Sequence, residues 1–183
     1  MIVLKATSLL LALLLPAAAQ HHPVMTAEKP VVLYKGLGVW KHPIATRNAE
    51  AQKFFDQGLA LLYGFNRYES LRSFRRAAEL DPQSIMAYWG MAMAQGPYIN
   101  MDGDPSFDLK GACAAVEKGK TAQGPERERA YLGATATWCP EYRPAAYIDA
   151  MRALAARYPD NQQASHRARR CRRCVDRAPR KSV

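Results

Sequence analysis

The sequence predicts an all-α protein built from helical hairpins. Apolar residues recur at helical spacing from Asn48 onward, and alternation typical of strands is almost absent. Prolines also interrupt the helical pattern at spacings that indicate a repeat. The composition agrees with this prediction, because only 9% of the residues are aromatic while good helix formers are abundant.

The first 19 residues have the features of a secretory signal. Lys5 precedes an apolar run from Ser8 to Leu15, and Pro16 and three alanines follow. The run is too short to span a bilayer. We therefore predict a periplasmic or secreted protein, cleaved after Ala19 and without stable membrane insertion thereafter. An uncleaved anchor is the alternative.

Residues 20–47 form a lead-in segment with too many prolines and glycines for a long helix. Its apolar residues predict that it packs on the helical body; they are Val31, Val32, Leu33, Val39 and Trp40.

The first two predicted helices form a hairpin. Asn48 can cap the first helix, and a short break from Gly64 to Arg67 separates it from the second. Tyr68 is expected to face inward in the second helix, which Asp81 and Pro82 bring to an end.

Four further helices follow at similar spacing. One runs from Ser84 to before Gly96, and one surrounds Cys113. Another extends from Pro125 to about Trp138, and the last from Pro144 to before Pro159. The prediction is therefore six helices in three antiparallel pairs.

The spacing of the prolines indicates a repeat. Pro125 and Pro159 are 34 residues apart, which is the period of tetratricopeptide repeats. Pro82 and Pro125 are 43 residues apart, and the nine-residue loop 96–104 accounts for the excess.

Residues 51–84 resemble one tetratricopeptide repeat along their whole length, and residues 87–95 resemble the start of a second. The matching packing positions are Phe54, Gly58, Leu61, Phe74, Ala77 and Pro82 in the first copy, and Tyr88 and Ala92 in the second. Gln57, where the family usually has Leu, and Ser70, where it usually has Ala, depart from the pattern.

The resemblance implies a short right-handed α-solenoid over residues 48–160 that binds a protein or peptide on its concave face. The residues expected on that face are Gln52, Phe55, Leu59, Leu62, Met86, Trp89 and Met93. An interaction scaffold of the cell envelope or secreted space is thus expected, not an enzyme. Alternatively, the lead-in segment around Val31 to Trp40 covers this groove permanently.

The Arg-rich tail, residues 161–183, supports a different function. From Asp160 onward the chain carries eight Arg or Lys against two Asp, within a formal net charge of +10 for the whole chain. Such a segment would attract nucleic acid or an anionic surface without sequence preference. A solvated tail, or one produced by a shifted reading frame or a truncation, is the alternative.

We predict no metal site and no cofactor. Cys171 and Cys174 have C-x-x-C spacing among arginines that repel cations. The acidic loop 100–104 has Gly111 where a calcium-binding EF-hand needs Glu. A copper site at His21 and His22 is likewise disfavoured, and no nucleophile with a neighbouring base is apparent. Cys113 and Cys139 are expected either to form a disulfide or to remain two buried thiols.

Overall fold

The structure is a computed structural model that describes residues 29–99, 101 and 103–159. This part of the chain contains six α-helices and no strand, which confirms the all-α prediction. The helices are α1 (Ala49–Tyr63), α2 (Arg67–Leu80), α3 (Ile85–Gln95), α4 (Leu109–Thr121), α5 (Glu126–Ala136) and α6 (Pro144–Arg157).

Each helix packs against the next one in the chain, so that α1 with α2, α3 with α4 and α5 with α6 form three hairpins. In addition, α3 packs against both α1 and α5. The result is a helical-repeat-like stack in which the odd-numbered helices are neighbours. Among the described residues, no helix combines the length and the apolarity needed to cross a bilayer.

Helix starts agree with the predicted capping residues. The Asn48 side chain accepts hydrogen bonds from the backbone N–H groups of Glu50 and Ala51, and Ser84 accepts one from Ala87. Pro144 lies in the first turn of α6. The predicted end of α5 near Trp138 is two residues too late, since α5 gives way to a turn after Ala136.

Aromatic rings form the centre of the core. The Phe55 ring lies 5.5 Å from Phe74 and 6.5 Å from Trp89, centroid to centroid, and Trp89 lies 5.5 Å from Tyr131. These four side chains come from α1, α2, α3 and α5 and are almost completely buried. One continuous core therefore joins the three hairpins.

Glycines allow the close approach of helices around Phe74. A Cβ on Gly58 would lie 2.7 Å from the Phe74 ring, and one on Gly90 would lie 2.4 Å from it. Ser70 adds a buried polar link, because its hydroxyl donates to the carbonyl oxygen of Gly58 at 2.8 Å. Gly58 and Phe74 therefore have the packing role that the sequence predicted.

A disulfide joins Cys113 of α4 to Cys139 in the turn after α5, with an S–S distance of 2.05 Å. Of the two alternatives left open by the sequence, the structure has the disulfide and not the pair of buried thiols. The bond fixes the segment after α5 to the second hairpin.

One expectation about apolar residues is wrong, and another holds for only some of the residues named. Tyr68 was expected to face inward but is 58% exposed; it lies in the first turn of α2, with its ring 6.0 Å from the guanidinium carbon of Arg72. The described part of the lead-in segment does pack against the core, through Val31 and Ile44. The other apolar residues named in the prediction, Val32, Leu33, Val39 and Trp40, are exposed.

Candidate functional site

The described part of the lead-in segment lies on α1 as a non-helical chain. From Lys41 to Asn48 its exposure alternates: His42, Ile44, Thr46 and Asn48 are half-buried, while the residues between them are exposed. This period of two means that one face of the chain lies on a surface. The chain runs without a bend from Gly38 to Ile44, bends at Ala45 and Arg47, and has a tight turn in which the N–H of Thr46 donates to the carbonyl oxygen of Ile44 at 2.9 Å. The helical body therefore holds a stretch of non-helical chain.

Gln52 recognises the main chain of that stretch at two points. Its Oε1 accepts from the backbone N–H of Ile44 at 3.1 Å, and its Nε2 donates to the carbonyl oxygen of His42 at 2.9 Å. Because an amide side chain offers one acceptor and two donors, it can satisfy an N–H and a C=O two residues apart.

Gln57 makes the same arrangement with an earlier part of the segment. Its Oε1 accepts from the N–H of Tyr34 at 2.7 Å, and its Nε2 donates to the carbonyl oxygen of Val32 at 2.9 Å. The Nε2 also lies 3.1 Å from the Ser73 hydroxyl oxygen. Two glutamines on α1 thus hold extended backbone independently of its side chains.

Acidic side chains complete the contacts with the segment. The backbone N–H of His42 donates to Asp56 at 2.9 Å, and that of Ala45 donates to Glu128 of α5 at 2.6 Å. The Thr46 hydroxyl donates to Asp81 at 2.6 Å. Residues 42–46 therefore connect α1 with α5 and with the end of α2.

Burial affects two of these carboxyl groups. Desolvation raises the pKa of Asp56, against the lowering effect of the hydrogen bonds from His42 and Gln52. Desolvation also raises the pKa of Glu128, and the charge of Asp81 adds to the effect, while the Ala45 N–H and Arg127 oppose it. The second oxygen of Glu128, Oε2, is buried and has no hydrogen-bond partner among the described residues.

The residues predicted for the concave face are largely covered in this structure. Phe55, Leu59, Met86, Trp89 and Met93 are buried, and Gln52 and Leu62 are half-buried. Gln52 touches the extended segment directly, and the His42 ring lies 6.1 Å from that of Phe55. The segment over Gln52 and Phe55 is residues 42–46, not the stretch from Val31 to Trp40.

The residues predicted for repeat packing lie mostly in the core. Phe54, Gly58, Leu61, Phe74, Ala77 and Ala92 are buried. Tyr88 is half-buried, and its hydroxyl donates to the carbonyl oxygen of the exposed Pro82 at 3.2 Å.

Sequence reasoning missed three polar residues that the fold uses. Gln57 was noted only as a departure from the repeat pattern, and Glu128 was assigned no contact. Arg67 is buried and donates to the carbonyl oxygens of Met93 and Gly96, which lie at the end of α3. Burial lowers the pKa of Arg67 to about 10, and Asp104 opposes the shift.

A cavity of ≈ 930 Å³ opens beside the start of α1, lined by residues 44–49 with Leu80, Asp81 and Gln83. It lies at the end of the extended segment, and none of the predicted concave-face residues lines it. Within the described ranges, no cluster of three or more metal-binding side chains occurs. His21, His22, Asn100, Asp102, Cys171 and Cys174 lie outside the described residues, as do the signal and the Arg-rich tail.

Fold and site together define an all-α, helical-repeat-like protein whose first helix holds an extended segment of its own chain. Comparisons with protein-family models, with curated proteins and with solved structures find no match to this chain.

Proposed function

We propose that the chain is an exported protein-binding scaffold of the tetratricopeptide type that holds an extended segment of a partner against α1. The observation that carries the proposal is the paired contact of Gln52 with the main chain at His42 and Ile44. Recognition through backbone groups is how helical and sheet surfaces take up extended peptides of varied sequence.

The partner segment takes the place of residues 42–46 in this proposal. The groove supplies Gln52, the Phe55 ring and the Glu128 carboxylate, which together contact one imidazole ring and three backbone groups of the present occupant. A competing peptide therefore needs an extended backbone, with an apolar residue at the position of Ile44.

We place this binding activity outside the cytoplasm. The N-terminal signal pattern predicts export, and the disulfide between Cys113 and Cys139 suits an oxidising compartment. The proposal assigns binding, and no reaction, to the chain.

The proposal is tested with a labelled synthetic peptide that has the sequence of residues 39–48. Ile44→Asp in the full chain weakens the packing of the intramolecular segment and leaves Gln52, Phe55 and Glu128 in place. We expect this variant to bind the peptide saturably, and more tightly than the wild-type chain does, since the wild-type groove is occupied.

Two further variants locate the binding. In the Ile44→Asp background, Gln52→Ala should weaken peptide binding by roughly tenfold, because it removes two hydrogen bonds. Gln57→Ala is the matched control and should leave binding unchanged, since Gln57 contacts Val32 and Tyr34, which the peptide lacks. Equal peptide binding by Ile44→Asp and by its two double variants, or no binding by any of the three, would rule out the groove as the peptide-binding site.

Salt separates this function from attraction of polyanions by the Arg-rich tail. A natural partner captured by the Ile44→Asp variant should stay bound at a few hundred millimolar salt. Binding through about six charge contacts would weaken by orders of magnitude.

A further inference from the structure

A second surface of the lead-in segment has no role in the proposed groove. We name residues 33–41 the apolar loop. Their sequence, LYKGLGVWK, begins with Leu33 and places Leu37, Val39 and Trp40 between Lys35 and Lys41, and all nine residues are exposed. Val39 is 96% exposed and Trp40 48%. Contiguous apolar side chains on a protein surface are typical of interaction sites.

The apolar loop projects from α1 and is held at both ends. At one end Gln57 accepts from the N–H of Tyr34, and at the other the Trp40 ring lies 5.7 Å from the ring of Tyr63. Gly36 and Gly38 between them have φ angles of 84° and 79°, and a Cβ on either would meet nothing within 4 Å. The middle of the loop therefore stands away from the body between two ends that contact it.

The charged residues of the chain in and next to the apolar loop are all basic. Between Val31 and Ala49 the chain contains Lys35, Lys41 and Arg47 and no acidic residue. Two acidic side chains lie beside the loop. Glu69 accepts from the Tyr34 hydroxyl and is paired with Arg72 at 2.8 Å, and the charge of Lys41 acts on the half-buried carboxyl group of Asp56. The loop thus combines protruding apolar side chains with two exposed lysines.

We propose that the apolar loop docks on the surface of an anionic lipid bilayer, with Val39 and Trp40 entering the interface and Lys35 and Lys41 contacting the headgroups. Trp is favoured at the boundary between headgroups and acyl chains, because its ring is apolar and its N–H can bond to polar groups. Each lysine near an anionic surface adds to the attraction. The loop is peripheral, and docking leaves the helices outside the bilayer.

The intrinsic fluorescence of Trp40 tests this proposal. The chain has three tryptophans, and Trp89 and Trp138 are buried while Trp40 is exposed. The full chain is mixed with vesicles of phosphatidylcholine alone or with added phosphatidylglycerol. Vesicles containing phosphatidylglycerol should shift the Trp40 emission to the blue, and brominated acyl chains should quench it.

Substitutions make the readout specific to the loop. Val39→Asp should raise the lipid concentration needed for a half-maximal fluorescence response by roughly tenfold or more. Ile99→Asp, the same change at another exposed apolar residue, is the matched control and should keep the response. Lys35→Gln and Lys41→Gln should each weaken it about fivefold. Trp40→Phe should abolish the response while the chain still floats with the vesicles.

Three outcomes would overturn the proposal. The first is flotation with anionic vesicles without any change in Trp40 emission, which would assign lipid binding to the apolar N-terminal run or to the Arg-rich tail. The second is an equal loss of response in the Val39→Asp and Ile99→Asp variants. The third is no interaction with either vesicle, which would leave a protein as the partner of the loop.

Discussion

The carboxylate of Glu128 and the backbone N–H of Ala45 are joined by a hydrogen bond of 2.6 Å, although the two residues are 83 positions apart. The bond ties the lead-in segment to the third hairpin. It also places a buried carboxyl group with a raised pKa beside the segment.

The raised pKa of Glu128 predicts a specific pH dependence. The folded chain binds the Glu128 proton more tightly than the unfolded chain does. The stability from this group is therefore complete below the unfolded pKa and is lost as the pH rises through the raised folded pKa. Glu128→Gln should remove this decline in the free energy of unfolding with rising pH. Urea unfolding at a series of pH values from acidic to neutral measures it. An unchanged decline in this variant would contradict the prediction.

Glycine substitutions should have opposite effects at two helical positions. Gly90→Ala would place a Cβ 2.4 Å from the Phe74 ring, and we expect a loss of roughly 1–3 kcal/mol in the free energy of unfolding. Gly133→Ala in α5 is the control: a Cβ there meets nothing within 4 Å, so the better helix propensity should stabilise by roughly 0.5–1 kcal/mol. Denaturant unfolding measures both, and destabilisation of similar size by the two would argue against the packing described.

The disulfide should contribute measurably to stability. Cys113 and Cys139 are 26 positions apart, for which loop-closure entropy predicts about 3.5 kcal/mol. The double substitution of both cysteines by Ser should lower the melting temperature. A reducing agent should do the same to the wild-type chain and have no further effect on the double variant.

Gln57 and Gln52 should control separate parts of the lead-in segment. Gln57→Leu removes the acceptor of the Tyr34 N–H, so hydrogen exchange at Tyr34 should accelerate by roughly tenfold while Ile44 keeps its rate. Gln52→Leu should accelerate exchange at Ile44 and leave the rate at Tyr34 unchanged, since the Gln52 side chain accepts from the N–H of Ile44. Acceleration at both sites in either variant would mean that the segment opens as one unit.

The helices were predictable because their signals are local. Asn48 and Ser84 cap helices that begin where the sequence indicates, and Pro144 opens α6. The error of two residues after Ala136 arose because Trp138 continues the apolar spacing into a turn, where its buried side chain packs 5.0 Å from Tyr147. Apolar spacing alone does not distinguish a helical turn from a packed loop residue.

The contacts of the lead-in segment were not predictable in the same way, because they join residues far apart in the chain. Gln57 and Ser70 are informative here: both depart from the repeat pattern, and both make buried polar contacts, Gln57 with Ser73 and Ser70 with Gly58. A polar residue at a position where a family has an apolar one can thus indicate a tertiary hydrogen bond. The pattern gave no sign, however, of which backbone groups would be bound.

Phe74 belongs to α2, yet its ring fills the space left by a glycine of α1 and by another of α3. A side chain shared in this way ties the first hairpin to the second. If either hairpin separated from the other, the Phe74 ring would lose its contact with one of the two glycines. Repeat arrays in which each unit meets only its neighbour can open one unit at a time. Here α1, α2 and α3 should instead unfold as a single cooperative block, with Phe74 as its common centre.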